Sequence, residues 1–309
     1  MRGPLFYSKI LLFGEYGIIK DSRGLSIPYN SYNGALKTTQ IDTPEAQESN
    51  RSLRRFADYL AQLPTDQVHF DMATLLKDLD RGMYFDSSIP QGYGVGSSGA
   101  LVAAIYDQYA QNKITVLENL TREKLLTLKG IFSVMESHFH GKSSGLDPLN
   151  SYLSIPILIH SRDHIETTGI PSQVLTGKGA VFLLDSGIIG ETAPMVSIFM
   201  ENLKDQGFRR MLKNQFVKYT DACVDNFIHG DVKSLFSNTK KLSKVVLNNF
   251  KPMIPEAFHS VWQQGLETND YYLKLCGSGG GGYILGFTQD YEKAKAALKD
   301  YKLEVVYQF

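Results

Sequence analysis

The chain has 309 residues, enough for two ordinary domains with a core in each. Hydrophobic residues make up 43% and charged residues 21%, a globular balance, and 32 Lys and Arg are matched by 32 Asp and Glu. A formal net charge of zero argues against a nucleic-acid binder held by a broad basic field, while leaving room for a local basic pocket for a phosphorylated ligand.

Residues 1–9 lack the apolar centre and cleavage site of a signal peptide, and no apolar run is long enough to span a bilayer. Cys223 and Cys276 form neither a disulfide framework nor a zinc-type pair. A reduced, cytoplasmic, soluble protein is expected, with no nucleic-acid or membrane partner. Ile10–Phe13 reads as a buried strand ended by Gly14. Leu53, Phe56, Leu60 and Leu63 place a helix over 51–63. Residues 97–112 are apolar nearly all round, as in a helix at a domain centre. Thr121 caps a second long helix with Leu125, Leu128, Phe132, Met135 and Phe139 inside, and Gly141 ends it. Beyond about Ser172 the pattern changes. A strand at 179–185 is followed by helical stretches at 196–204, 206–229, 232–246 and 256–267. Strands at 271–275 and 283–287 flank a glycine run, and a helix at 291–299 precedes a last strand at 303–308. The pattern predicts an α+β protein with domains at 1–172 and 173–309.

The segment from Pro90 through Gly92, Gly94, Gly96, Ser97, Ser98 and Gly99 to Ala100 is a Gly-Ser loop opening a buried helix. Such a loop suits an anion: glycines let the backbone approach, amides point inward, and the helix dipole favours negative charge. It also reads as a glycine-rich turn that merely starts a core helix. Gly94–Gly99 spells the dinucleotide fingerprint G-x-G-x-x-G, but residues 86–90 before it are not the hydrophobic strand that motif follows. Gly141-Lys142-Ser143 imitates the end of a P-loop, yet position 136, where the first glycine belongs, is Glu136.

Two further glycine motifs accompany that loop. Lys9 precedes Ile10–Phe13 and Gly14-Glu15-Tyr16-Gly17, and Lys274-Leu275-Cys276 precedes Gly277-Ser278-Gly279-Gly280-Gly281-Gly282. In this order and at these distances the three segments resemble the signature motifs of the GHMP kinases (galactokinase, homoserine kinase, mevalonate kinase, phosphomevalonate kinase). A fourth segment, Glu136 to Asp147 with His140-Gly141 and Ser144-Gly145-Leu146-Asp147, is most similar to the mevalonate kinases within that family.

The resemblance implies the two-domain GHMP fold, with an N-terminal domain like domain 2 of ribosomal protein S5 and a ferredoxin-like C-terminal domain. It implies ATP and magnesium as cofactors, mevalonate as the alcohol substrate, 5-phosphomevalonate as the product in isoprenoid precursor synthesis, and a homodimer as a family-level expectation. It makes Asp147 the catalytic base with Lys9 beside it, and Ser98 and Glu136 magnesium ligands. Pro90, Gly92, Gly94, Gly96, Ser97, Ser98 and Gly99 would hold the nucleotide with Gly277, Ser278, Gly279 and Gly280, and Glu15, Tyr16, Ser144 and Gly145 the substrate. The chemistry agrees: phosphoryl transfer needs a phosphate cradle, a hard-cation site and a group to orient the nucleophile. Each residue also has an ordinary reading: Lys9 snorkelling, Asp147 in a turn, the last glycines as a linker. Glu136 and His140, one turn apart, could suggest a transition-metal pair, but no third ligand stands at suitable spacing. Tyr16 departs from the Gly-Glu-His usual in mevalonate kinases and removes a positive charge from that position. The alternatives are a sibling kinase acting on phosphomevalonate, a sugar or another small alcohol, a non-catalytic nucleotide-binding protein of the same fold, and a nicotinamide oxidoreductase.

Overall fold

The computed structural model describes residues 3–38, 43–64, 68–116 and 119–309. The chain divides into two compact units: residues 1–9, 28–90 and 96–155 form the first, and residues 10–27, 91–95 and 156–309 the second. Strands β1 (Phe6–Phe13) and β2 (Gly24–Thr38) are neighbours in one sheet, and each changes unit along its length. A single division at residue 172 was expected from the sequence. Composition along the chain cannot reveal that a strand serves two units, because β1 has no turn residue between Lys9 and Ile10 to mark the division.

In the first unit, Thr43 caps α1 (Pro44–Leu60) by accepting the Ala46 N–H at 3.2 Å, and Pro44 fits the first turn, where no N–H is needed. The helix therefore starts one full segment before the apolar stripe that announces it. A two-residue pairing joins β3 (His69–Phe70) to β5 (Ala110–Gln111). Between them come α2 (Met72–Asp80), β4 (Met83–Ser87) and α3 (Ser97–Tyr109). The Gly34–Thr38 end of β2 pairs antiparallel with β4. Helix α3 is buried almost all round, as its composition predicts, and α5 (Leu146–Leu153) packs along it. The long helix α4 (Arg122–His140) starts at Thr121, which accepts the Lys124 N–H, and stops at Gly141 with φ 70°.

The second unit holds the Gly24–Ser26 end of β2 against β6 (Ile157–Ser161), which pairs in turn with β7 (His164–Thr167). Then follow β8 (Ala180–Asp185), α6 (Thr192–Asn202), α7 (Gln206–Met211), a π-helical segment (Leu212–Val217), α8 (Lys218–Ile228), α9 (Val232–Asn249) and α10 (His259–Thr268). Strands β9 (Tyr272–Leu275) and β10 (Tyr283–Thr288), helix α11 (Tyr291–Ala297) and strand β11 (Leu303–Gln308) complete it. All pairings in this sheet are antiparallel and its order is β11-β8-β10-β9. Taken with the intervening helices, that is the β-α-β-β-α-β arrangement of a ferredoxin-like domain. The stretch read as one helix over 206–229 is three segments, with Leu212 and Phe216 of the wider π turn both buried. Among the described residues no helix is long and apolar enough to cross a membrane.

Asn50 stands inside α1 yet is buried. Its amide donates to the Leu79 carbonyl at the end of α2 (3.1 Å) and to the Met83 carbonyl at the start of β4 (2.6 Å). One side chain thus donates to two carbonyls on either side of the turn between α2 and β4, the Leu79 carbonyl also accepting the Gly82 N–H at 3.0 Å. Asn50→Ala removes both hydrogen bonds from a buried position, and is expected to lower unfolding stability by about 2 kcal/mol, read as a lower urea midpoint at unchanged m-value.

Candidate active site

Four of the residues singled out in the sequence converge within the first unit. Lys9, in β1, is buried, and its Nζ lies 2.9 Å from Asp147 Oδ1. The Asp147 side chain is 39% exposed, so the carboxylate faces solvent on one side and the ammonium on the other. Asp147 sits in the first turn of α5, which begins at Gly145. Two glycines make this meeting feasible. Gly96, with φ 82°, turns the chain into α3 directly beneath the lysine stem: a Cβ there would stand 3.1 Å from Lys9 Cγ. Gly99, one turn on, lets α5 approach α3, since a Cβ would lie 2.7 Å from the Asp147 carbonyl carbon and 2.8 Å from Pro148 N.

Glu136, on α4, is 3% exposed. Its Oε1 accepts the Ser98 hydroxyl at 2.9 Å, and its Oε2 accepts the Ser143 hydroxyl. Ser143 is fixed in turn: its Oγ accepts the Gly145 N–H at 3.0 Å and its carbonyl accepts the Ser133 hydroxyl at 2.6 Å. His140 Nε2 lies 3.0 Å from Ser98 Oγ. Because Ser98 gives its proton to Glu136, the imidazole is the donor in that contact. Burial, followed by the charge of Asp147, raises the Glu136 carboxyl to about 7, against the opposing effect of the Ser143 and Ser98 hydroxyls and of Lys9. Glu136 therefore feels both members of the ion pair. The first-turn amides of α3, at Ser97, Ser98 and Gly99, lie in the part of the helix that has no intrahelical acceptor. Ser144 is exposed and its hydroxyl accepts the Leu146 N–H at 3.4 Å, while Gly145 is buried against the Lys129 carbonyl.

The second unit gathers the other glycine segments. Gly92 O accepts the Gly190 N–H at 3.0 Å, Tyr93 O accepts the Tyr283 N–H at 3.3 Å, and Gly94 rests on the Cys276 carbonyl. Gly277–Gly282 links β9 to β10 and is held at Gly280, whose N–H donates to Met253 O at 2.7 Å, and at Gly282, whose N–H donates to Ile188 O at 2.6 Å. Ser278 Oγ donates to Thr192 Oγ1 at 3.3 Å, and Gly279 is buried. Pro90, half-buried, ends the preceding segment of the first unit.

Glu15 and Tyr16 belong to this second group. Glu15 is buried and paired with Lys274 at 2.5 Å, the lysine also donating to Leu275 O at 2.8 Å. Tyr16, with φ 58°, packs its ring on Phe199 with centroids 4.6 Å apart, and its hydroxyl donates to Ser278 O at 2.7 Å. Burial and the adjacent Glu15 charge push the phenol well above its usual range, so it stays a donor. Both polar groups are thus engaged inside the protein, in holding the glycine loop. Four contact residues were not assigned these contacts from sequence. His140 and Ser143 belong to the Glu136–Asp147 segment but carry no role of their own there, Thr192 carries no signal, and Lys274 carries one: a lysine inside an apolar strand beside a glycine run.

Residues 57–154 match the family model for the GHMP kinases N terminal domain, a span that contains Ser98, Glu136 and Asp147. No curated protein matches the chain in sequence. Among solved structures, mevalonate kinase of L. major in complex with R-mevalonate is similar with TM-score 0.63 and 18% identity, over 97% of this chain and 90% of that one. Methanococcus jannaschii mevalonate kinase is similar with TM-score 0.59 and 17% identity, over 99% and 98% of the two chains. Streptococcus pneumoniae phosphomevalonate kinase in complex with phosphomevalonate and AMPPNP gives TM-score 0.62 and 13% identity over 98% of each. Likeness at such identities establishes the fold. The chain carries the N-terminal domain of the GHMP kinases over residues 57–154 and has the GHMP kinase fold across nearly its whole length.

Proposed function

We propose that this chain is an ATP-dependent kinase that phosphorylates the hydroxyl of a small metabolite, with mevalonate the leading candidate. The observation that carries the reading is the buried Lys9 against the solvent-facing Asp147, beside the Ser98–Glu136 pair. In this reading Asp147 accepts the proton of the substrate hydroxyl, and Lys9, 2.9 Å from Asp147, steadies the oxygen as its proton leaves. The free amides of the first turn of α3 face the phosphates, where the helix dipole favours negative charge. Mevalonate is preferred over sibling substrates because the Glu136–Asp147 segment has the mevalonate-kinase spacing.

Magnesium suits the donor set. Glu136 and Ser98 offer oxygens only, and a carboxyl raised to about 7 by burial and a second carboxylate is one whose ionised form a dication stabilises. When bound, the ion would supply charge neutralisation for the phosphates. Ser143 and His140 hold Glu136 and Ser98 in place from the protein side.

An ADP-release screen over mevalonate, phosphomevalonate, galactose and homoserine tests the reading, with turnover expected on mevalonate. Asp147→Asn should lower that turnover by about 10²–10⁴-fold with nucleotide binding retained. Near-native turnover in this variant would remove Asp147 from the mechanism, and silence on all four alcohols would remove the kinase reading.

Glu136 also sets a pH dependence. Its folded carboxyl holds a proton up to about 7 while the unfolded one releases it near 4.5. Stability from this group is therefore complete below about pH 4.5 and is lost as pH rises towards 7. Without metal, Glu136→Gln should be about 2 kcal/mol more stable than the parent at pH 8.5, with the gap closing in acid and activity lost. Thermal unfolding at the two pH values checks the sign, and a variant less stable at pH 8.5 would contradict it.

A further inference from the structure

Strands β6 and β7 form an antiparallel hairpin whose inner face is apolar: Ile159 pairs with Ile165, and both are buried. The opposite face carries a different chemistry. Leu158 pairs with Glu166, and His164 lies two residues before Glu166, so alternation puts both on that face. The register shifts between Ile159 and Ser161, with His164 opposite Ser161, which leaves His160 as the extra residue of a bulge. The bulge brings the His160 ring to 4.4 Å from that of His164 between centroids, with the rings inclined by 29°. His160 Nε2 lies 2.8 Å from Glu166 Oε1. One ligand-type atom from each of the three residues falls within 4.8 Å of the others.

We propose that His160, His164 and Glu166 form a binding site for a divalent transition-metal ion of the zinc class. Two imidazoles and a carboxylate make a three-ligand set that leaves a position for water. Around an ion with bonds of about 2.0–2.2 Å, tetrahedral ligand atoms stand roughly 3.4 Å apart, so the present spread closes by small side-chain rotations. His160 and His164 are half-buried and Glu166 is exposed, so those rotations and entry of the ion are unobstructed by burial. The hairpin beneath is fixed by its buried isoleucines. As the ion takes the ring nitrogen facing Glu166, the proton there moves to the other nitrogen of His160. Arg23 also acts on Glu166, but its guanidinium is paired with Asp225, which offsets its charge. A surface ion pair between His160 and Glu166 would be worth little by itself and would need no second imidazole.

Calorimetric titration of the full chain with zinc chloride tests the site. The expected result is saturable binding of one ion per chain, weakened by about tenfold or more in both His164→Ala and Glu166→Gln. Thermal unfolding without zinc should leave both variants near the parent, since neither side chain is fully buried. Cobalt chloride gives a second readout, a visible absorption band of a tetrahedral centre that both variants lose. Absence of saturable binding overturns the proposal, as does binding of undiminished strength in the two variants, which would place the ion at other residues.

Discussion

The ion pair between Lys9 and Asp147 joins the first strand of the chain to a helix that begins more than 130 residues later. A buried ammonium without its partner would be costly, so everything that brings Asp147 within reach is constrained with it. The lysine stem needs an open path over Gly96, and α5 must approach α3 closely enough that position 99 can carry no side chain. The glycines of the Gly-Ser loop therefore have two duties. They shape a loop suited to an anion, and they set the distance between two helices.

The two carboxylates of the site occupy unlike surroundings. Glu136 is enclosed, with a serine hydroxyl on each oxygen, whereas Asp147 is open to solvent and leans on a cation. In the proposed function, unequal environments of this sort separate a group that holds an ion from a group that exchanges a proton. The difference arises from packing: Glu136 lies on the inner side of a long helix, and Asp147 at the exposed start of a short one.

Much of this was legible in the sequence because it is local. The apolar composition of residues 97–112 announces α3, and Thr121 and Gly141 mark the ends of α4 within a residue. The motif order was legible too, since each glycine segment is read without knowing what touches it. Long-range features were not. Helix α5 follows Gly145, whose φ of 73° no propensity reports, and β2 contains Pro28 and Gly34, which speak against a fifteen-residue strand. The π segment hides inside an unbroken helical pattern, because its buried Leu212 and Phe216 keep the four-residue spacing of an α-helix and only the backbone hydrogen bonds reach one residue further. The Gly-Glu-Tyr segment was expected to meet the substrate. Only the fold brings Lys274 to Glu15 and the Ser278 carbonyl to Tyr16, and these contacts engage both side chains within the protein.

Glu15 and Lys274 are separated by 259 positions and are both almost wholly buried. Losing either partner leaves the other as an enclosed, uncompensated charge, a penalty of several kcal/mol. The opening loop and the glycine loop are accordingly a single heritable module despite their distance in the chain. A C-terminal segment exchanged with a relative succeeds only if it brings a cation to the place of Lys274, or arrives with a neutral residue in place of Glu15. Recombination between these ends is restricted by charge balance before any question of catalysis arises.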